Sequence, residues 1–285
     1  MDYSKETIAA EIMQMAKIAE QETNIDVIKK IFNLIDLTSL NTVDHDDKII
    51  AMVEKVNHVN EHYTDCPNVA ALCVYPNFVS TVKKHLKDKN VRIAAVSAGF
   101  PSSQTFLAVK LAETNLAVEK GANDIDIVMS VGKFINKEYQ DVANEISLIK
   151  SVCGNAHLKV ILETGALPNE EAIYNASMLS MEAGADFIKT STGKQEPAAT
   201  YEAVFVMVNA IKDYYQKTGR MVGIKPAGGI VTVKQALVYY AIVKHILGDK
   251  WLNNHYFRIG ASRLANNLLT RMNELKGIKE EVKYF

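Results

Sequence analysis

Eight short apolar runs, separated by longer stretches of helical periodicity, constrain this chain more than any other feature. The runs are Ile31–Thr38, Val69–Tyr75, Arg92–Ala98, Asp124–Ser130, Leu158–Glu163, Phe187–Ser191, Val222–Lys225 and Phe257–Ala261. Each is rich in Ile, Val or aromatics and short enough to be a strand. Helical patterns fill most of the gaps. In Gln104–Lys120 the residues Phe106, Leu107, Leu111 and Val118 recur near helical spacing and form the expected buried face, with Lys110, Glu113 and Glu119 off it. Gln140–Val152, Glu170–Ala183, Tyr201–Gln216 and Val233–Leu247 behave similarly, the last two behind N-cap candidates Thr200 and Thr232. The polar stretch His58–Asn68 shows no clear helix.

Strands alternating with helices imply parallel β/α units. Eight units in 285 residues predict a (β/α)8 TIM barrel, typically about 250 residues. An open doubly wound sheet is the alternative, but its Gly-rich dinucleotide loop, GxGxxG, is absent. No linker or low-complexity stretch interrupts the pattern, so residues 1–285 read as one domain. Residues 1–30 form a helical extension, with Ile8, Ile12, Met15 and Ile18 on one face, and residues 277–285 a tail expected to fray, the alternative being that its Tyr284-Phe285 end folds over the barrel mouth as a lid or proton relay. A net charge of −1 argues against a nucleic-acid partner. No apolar run reaches membrane-spanning length, and Met1–Glu11 lacks the apolar region of a signal peptide. Three cysteines without CxxC spacing read as reduced thiols, so the expected setting is cytoplasmic.

The strands also carry charges where apolar residues belong: Asp36, Asp126, Lys159, Glu163, Lys189 and Lys225. A buried charge must be paired or serve a purpose. Aligning Gly-Ala in EKGANDID (Glu119–Asp126) with Gly-Ala in EAGADFIK (Glu182–Lys189) superimposes Asp126 on Lys189. The two are therefore expected to point into the barrel at similar height. In barrels the active site lies at the C-terminal strand ends, where Asp36, Lys189 and Lys225 are expected. Two lysines in one dry mouth repel, which favours a neutral amine able to form a Schiff base, with Asp126 as proton shuttle. A structural salt-bridge network is the equally weighted alternative. Three late turns, Thr192-Gly193-Lys194, Ala227-Gly228-Gly229 and Gly260-Ala261-Ser262, offer backbone N–H groups to a phosphate. The histidines show no metal-ligand spacing.

These segments resemble the deoxyribose-phosphate aldolases, a class I family. The matches run in family order: LIDLTSL (Leu34–Leu40), ALCVYP (Ala71–Pro76), VSAGFP (Val96–Pro101), GANDIDIV (Gly121–Val128), LKVILETG (Leu158–Gly165), DFIKTSTGK (Asp186–Lys194), GIKPAGG (Gly223–Gly229) and RIGAS (Arg258–Ser262). The resemblance implies that Lys189 is the Schiff-base lysine and that Lys225 and Asp126 are its catalytic partners. It implies that Asp36, Thr38, Cys73 and Lys159 line the sugar site, and that Thr192, Gly193, Lys194, Gly228, Gly229 and Ser262 surround the phosphate. It implies a phosphosugar and small aldehydes as ligands, no metal and no cofactor, and by analogy a homodimer. Two departures are Arg263 after Ser262 and Ser103, where the family often has Gly. Rival readings are another phosphate-sugar or Schiff-base barrel, such as a transaldolase or isomerase, and a catalytically silent scaffold.

Overall fold

A computed structural model describes residues 5–21 and 23–285. The first four residues of the polar Met1–Glu11 opening, and Glu22 of the extension, lie outside the described residues. The strands are β1 (Ile35–Thr38), β2 (Ala71–Val74), β3 (Arg92–Ser97), β4 (Asp124–Val128), β5 (His157–Ile161), β6 (Phe187–Lys189), β7 (Gly223–Lys225) and β8 (Ile259–Ala261). All paired neighbours are parallel, in the order β7-β6-β5-β4-β3-β2-β1-β8. Single-residue bridges Ile224–Phe257 and Ala227–Gly260 join the two ends of that order. The sheet is thus a nearly closed (β/α)8 barrel, as the alternation predicts.

The helices are α1 (Lys5–Gln21), α2 (Ile25–Asn33), α3 (Asp46–His62), α4 (Val79–His85), α5 (Leu107–Lys120), α6 (Val131–Ile135), α7 (Tyr139–Val152), α8 (Glu170–Glu182), α9 (Tyr201–Thr218), α10 (Val233–Leu247) and α11 (Leu264–Leu275). Thr200 and Thr232 cap α9 and α10 as expected, accepting from the Ala203 and Gln235 N–H groups. Gln235 returns a bond to the Thr232 N–H, completing a capping box.

Three expectations are corrected. The extension holds two helices, and the second takes Ile31 and Phe32 from the expected first strand. Asn24 caps α2, and Ile28, Ile31 and Phe32 fall on one buried face; an apolar run of this length fits either structure until its long-range packing is known. The polar His58–Asn68 stretch begins inside α3, which continues to His62. On α5 the expected face holds in part: Leu111 and Val118 pack half-buried against the core, but Phe106, just ahead of the helix, is 81% exposed, and Lys110, expected off that face, is buried with Thr114 and Ala117. Lys110 is tolerated there because its ammonium meets Glu145 at 2.9 Å and the hydroxyls of Ser103 and Ser130. Thr114 shares a 2.9 Å hydroxyl bond with Ser97. α5 therefore docks through a polar seam.

Strand alternation sorts the residues into two layers. Ile35, Leu37, Leu72, Val74, Ile125, Ile127, Leu158, Val160 and Ile188 join the main core with the helices. A small separate cluster holds Ala71 and Cys73 of β2, Ala94 and Val96 of β3, and Leu40. The same alternation directs the charged residues of β1 and β4–β7 inward.

Candidate active site

The charged interior is built around Asp126. Its Oδ2 lies 2.9 Å from Lys189 Nζ and 2.7 Å from Lys225 Nζ, and its Oδ1 lies 3.4 Å from Lys159 Nζ. Lys225 also reaches Asp36 Oδ2 at 2.5 Å. Lys159 is held by Asp124 Oδ2 at 2.7 Å. Arg258 closes the network by pairing with Asp36 Oδ1 at 2.7 Å and Asp124 Oδ2 at 3.3 Å. All seven groups are buried. Three carboxylates therefore face four buried cations, and half-buried Arg92 adds another 2.7 Å from Asp124 Oδ1, so cations are in excess.

Register explains how Asp126 meets Lys189. Asp126 pairs with Lys159, and Lys159 with Phe187, so Lys189 stands two residues further along the ladder, level with Ile161 and Lys225. The two side chains point into one interior, as the internal echo predicts, and the long lysine spans the offset.

The electrostatics follow from these contacts. Burial alone would raise the Asp126 pKa, but Lys189, Lys225 and Lys159 outweigh it and hold the carboxyl far below the ordinary range. Asp124 is held well below its usual value against burial by Lys159, His157, Arg258 and Arg92, and Asp36 is lowered against burial by Lys225 and Arg258. Burial alone would depress Lys225, but Asp126 and Asp36 win and hold its ammonium above the usual lysine value. The lysine pair does not leave Lys225 neutral. Burial pushes the Cys73 thiol up.

Above this cluster opens a cavity of about 530 Å³. Lys189 is the one member of the cluster that lines it. Of the other residues named from the sequence, Thr38, Thr192, Gly193, Lys194, Gly228, Gly229 and Ser262 also line it, as does Arg263. Asp36, Cys73, Lys159, Asp126 and Lys225 lie below it and are fully buried. The late turns meet at one side. Gly193 and Gly228 both have positive φ, and a Cβ on Gly228 would stand 3.2 Å from the Gly193 Cα. The close approach of these turns therefore depends on glycine. Lys194 donates to the Leu40 carbonyl across the mouth.

The tail does not fray. Val282 is buried and donates to Thr270 Oγ1, while Asn266 Oδ1 accepts from the Tyr284 and Phe285 N–H groups. Tyr284 donates to the Lys55 carbonyl, and Phe285 forms part of the cavity rim. Asp124, Arg258 and Glu163 were not assigned to the site from the sequence. Asp124 had a readable signal, since it shares the inward face of β4 with Asp126 two residues on. Arg258 heads the RIGAS segment, but its partners are remote in sequence. Among the described residues, no group of three or more His, Cys, Asp or Glu side chains could hold a metal ion, and no helix is long and apolar enough to cross a membrane.

Comparisons with known proteins agree with this fold. The family model described as DeoC/LacD family aldolase matches residues 30–246. A Caenorhabditis elegans protein is 44% identical over 272 residues, covering 94% of this chain and 89% of its own. The deoxyribose-phosphate aldolase of Homo sapiens is 40% identical over 269 residues, covering 91% of this chain and 85% of its own. Among solved structures, the aldolase QR15 superimposes with a TM-score of 0.70 at 28% identity, covering 86% of this chain and 98% of its own. With its barrel, its inward lysines and these matches taken together, the chain belongs to the DeoC/LacD family of aldolases.

Proposed function

We propose that the protein cleaves 2-deoxy-D-ribose 5-phosphate reversibly to D-glyceraldehyde 3-phosphate and acetaldehyde through a Schiff base on Lys189. One observation carries this reading: Lys189 alone among the clustered lysines opens on the cavity, while its nitrogen sits 2.9 Å from a carboxylate that Lys225 shares. With cations outnumbering the three carboxylates, a neutral Lys189 amine relieves the excess of positive charge in the cluster. Lys225, held charged by Asp126 and Asp36, supplies the repulsion that favours the neutral amine.

The neutral Lys189 amine adds to the aldehyde carbon of the open-chain sugar. The carbinolamine loses water to give an iminium. A base removes the C3 hydroxyl proton, the C2–C3 bond breaks, and its electron pair flows into the iminium to form an enamine. Glyceraldehyde 3-phosphate leaves. The enamine takes a proton at C2, and hydrolysis frees acetaldehyde and the amine. Asp126 is a weak base while three lysines surround it. Its basicity rises once Lys189 gives up its charge, which suits a relay that carries protons between Lys189 and water rather than storing one. Thr38 is read as a sugar contact on the rim. Asp36 and Lys159 shape the charged floor, and Cys73 the apolar wall. Gly193, Gly228, Gly229 and Ser262 are read as the phosphate cradle, with Lys194 and Arg263 adding charge; Thr192 lines it without donating to the anion, since its N–H and hydroxyl both bond Glu163.

Borohydride reduction in the presence of acetaldehyde tests the assignment. A two-carbon adduct is expected on the Lys189 peptide, and label elsewhere with an unmodified Lys189 refutes it. Product analysis with deoxyribose 5-phosphate separates this reaction from transaldolase or isomerase chemistry, since it alone yields acetaldehyde. We read the assembly as a homodimer, supported by the exposed apolar residues Phe106, Val109 and Leu116 on one side of α5. Light scattering should return twice the chain mass of 31.6 kDa. The three cysteines are free thiols, which supports a reducing, cytoplasmic setting.

A further inference from the structure

The segment following β5 carries a buried carboxylate that the cleavage chemistry leaves without a task. Glu163 sits in the left-handed region, at φ 52 and ψ 59. A non-glycine residue is strained there and persists only where its surroundings hold it. Its side chain is buried and faces the loop after β6. Glu163 Oε1 accepts from the Thr192 N–H at 3.1 Å, and Oε2 accepts from the Thr192 hydroxyl at 2.6 Å. With its one proton given to Glu163, the Thr192 oxygen accepts from the Lys194 N–H at 3.0 Å. One carboxylate therefore fixes both the backbone and the side chain of Thr192, and through Thr192 the backbone of Lys194.

A second contact locks the same two segments. A Cβ on Gly165 would stand 1.9 Å from the Pro197 carbonyl oxygen, so the turn after Glu163 presses directly on the backbone of the loop after β6. The Thr164 N–H donates to the Thr190 carbonyl at 3.0 Å, continuing the β5–β6 pairing up to this point. The loop that carries Thr192, Gly193 and Lys194 is thus built on Glu163 and its neighbours. Glu163 does not line the cavity, and a carboxylate in direct contact with a phosphate would repel it.

We propose that Glu163 is a positioning residue for phosphate recognition, acting through Thr192 to hold the Thr192–Lys194 turn in the shape that receives the anion. This inference rests on the phosphate reading given above. Gln in its place keeps one acceptor for the Thr192 N–H. It faces the hydroxyl with a donor, so the Thr192 proton loses its charged acceptor and the short bond that fixes the hydroxyl is broken. Val in place of Thr192 keeps a similar shape and removes the hydroxyl altogether.

The test is steady-state kinetics of the full chain with 2-deoxyribose 5-phosphate and with unphosphorylated 2-deoxyribose. It compares the wild type with Glu163→Gln, Thr192→Val and the double variant. The wild type is expected to prefer the phosphorylated sugar. Glu163→Gln should lower that preference, the ratio of the two kcat/KM values, by about tenfold or more, as loss of a hydrogen bond to a charged group would. KM for the phosphorylated sugar should account for most of the loss. Thr192→Val should reproduce the effect, and the double variant should lose no more than the worse single one, because both act through one contact. Should Glu163→Gln fail to fold, the preference ratio of Thr192→Val decides. Equal losses for the two sugars, or additive losses in the double variant, would overturn the inference and leave Glu163 a structural residue. A wild type without preference for the phosphorylated sugar refutes the phosphate reading itself. A wild-type preference left intact in the variants refutes only the role of Glu163.

Discussion

Replacing Lys225 by Met removes one charge from the cluster while nearly preserving side-chain volume. Lys189 and Lys225 touch the same oxygen, Asp126 Oδ2, at 2.9 and 2.7 Å. Their nitrogens therefore lie no further apart than about 5.6 Å, the sum of those distances. At an effective dielectric constant of about 20, two unit charges at that separation repel by about 3 kcal/mol. Removing the Lys225 charge removes that repulsion, so the neutral Lys189 nucleophile is less favoured. The excess of cations over carboxylates in the cluster also shrinks. The assay is the rate of reductive trapping of acetaldehyde on Lys189 as a function of pH. Trapping at neutral pH should be slower in Lys225→Met by about a hundredfold, the rate equivalent of that repulsion, and the loss should shrink at high pH. Loss of the cation beside Asp36 should also cost about 3 kcal/mol of stability or more, so denaturant titration must accompany the kinetics. A folded variant that traps acetaldehyde as fast as the wild type at neutral pH refutes the argument that repulsion between the two lysines produces the nucleophile.

Three further outcomes are expected. Arg258→Met strips Asp36 Oδ1 and Asp124 Oδ2 of a buried partner. It should cost about 3–5 kcal/mol, lowering the melting temperature on the order of 10 °C by calorimetry; an unchanged melt would show that the lysines alone satisfy the carboxylates. Asp36, Asp124 and Asp126 all have depressed folded pKa values, so their stabilisation is full above the ordinary carboxylate pKa of about 4 and is lost as pH falls through the lower folded values. Unfolding free energy from urea titration should fall steeply below about pH 4, and a flat profile down to about pH 2 would contradict the ion-pair geometry. Burial pushes the thiols of Cys66 up to about 12 and Cys153 up to about 11, and raises Cys73. At about pH 8 the folded protein should leave all three unreacted with a disulfide reagent, whereas the denatured chain should titrate all three.

Much of this architecture was legible locally. The strand positions follow from short β-rich runs, and the starts of α9 and α10 from Thr200 and Thr232, whose capping bonds involve residues three positions away. Charges interrupting apolar strands pointed to Asp36, Asp126, Lys159, Lys189 and Lys225, and period-two alternation directed them inward. The same local reasoning failed where packing outweighed pattern. The Ile31–Phe32 pair fits a strand or a helix equally well, and the α2 packing chose helix. Lys110 counted as surface until Glu145 and two serines supplied a buried niche.

The sequence by itself therefore determined the eight-unit alternation, the inward charges and the small-residue turns, because each is written within a few neighbouring residues. Only the tertiary structure decided which lysine opens on the cavity, how Asp126 is shared, and what Glu163 holds. Asp126 and Lys225 are 99 residues apart, and Asp36 and Arg258 are 222 apart. Barrel closure alone brings them within hydrogen-bonding distance. Short-range periodicity can say that a charge faces inward, but the partner that stabilises it comes from the far end of the chain.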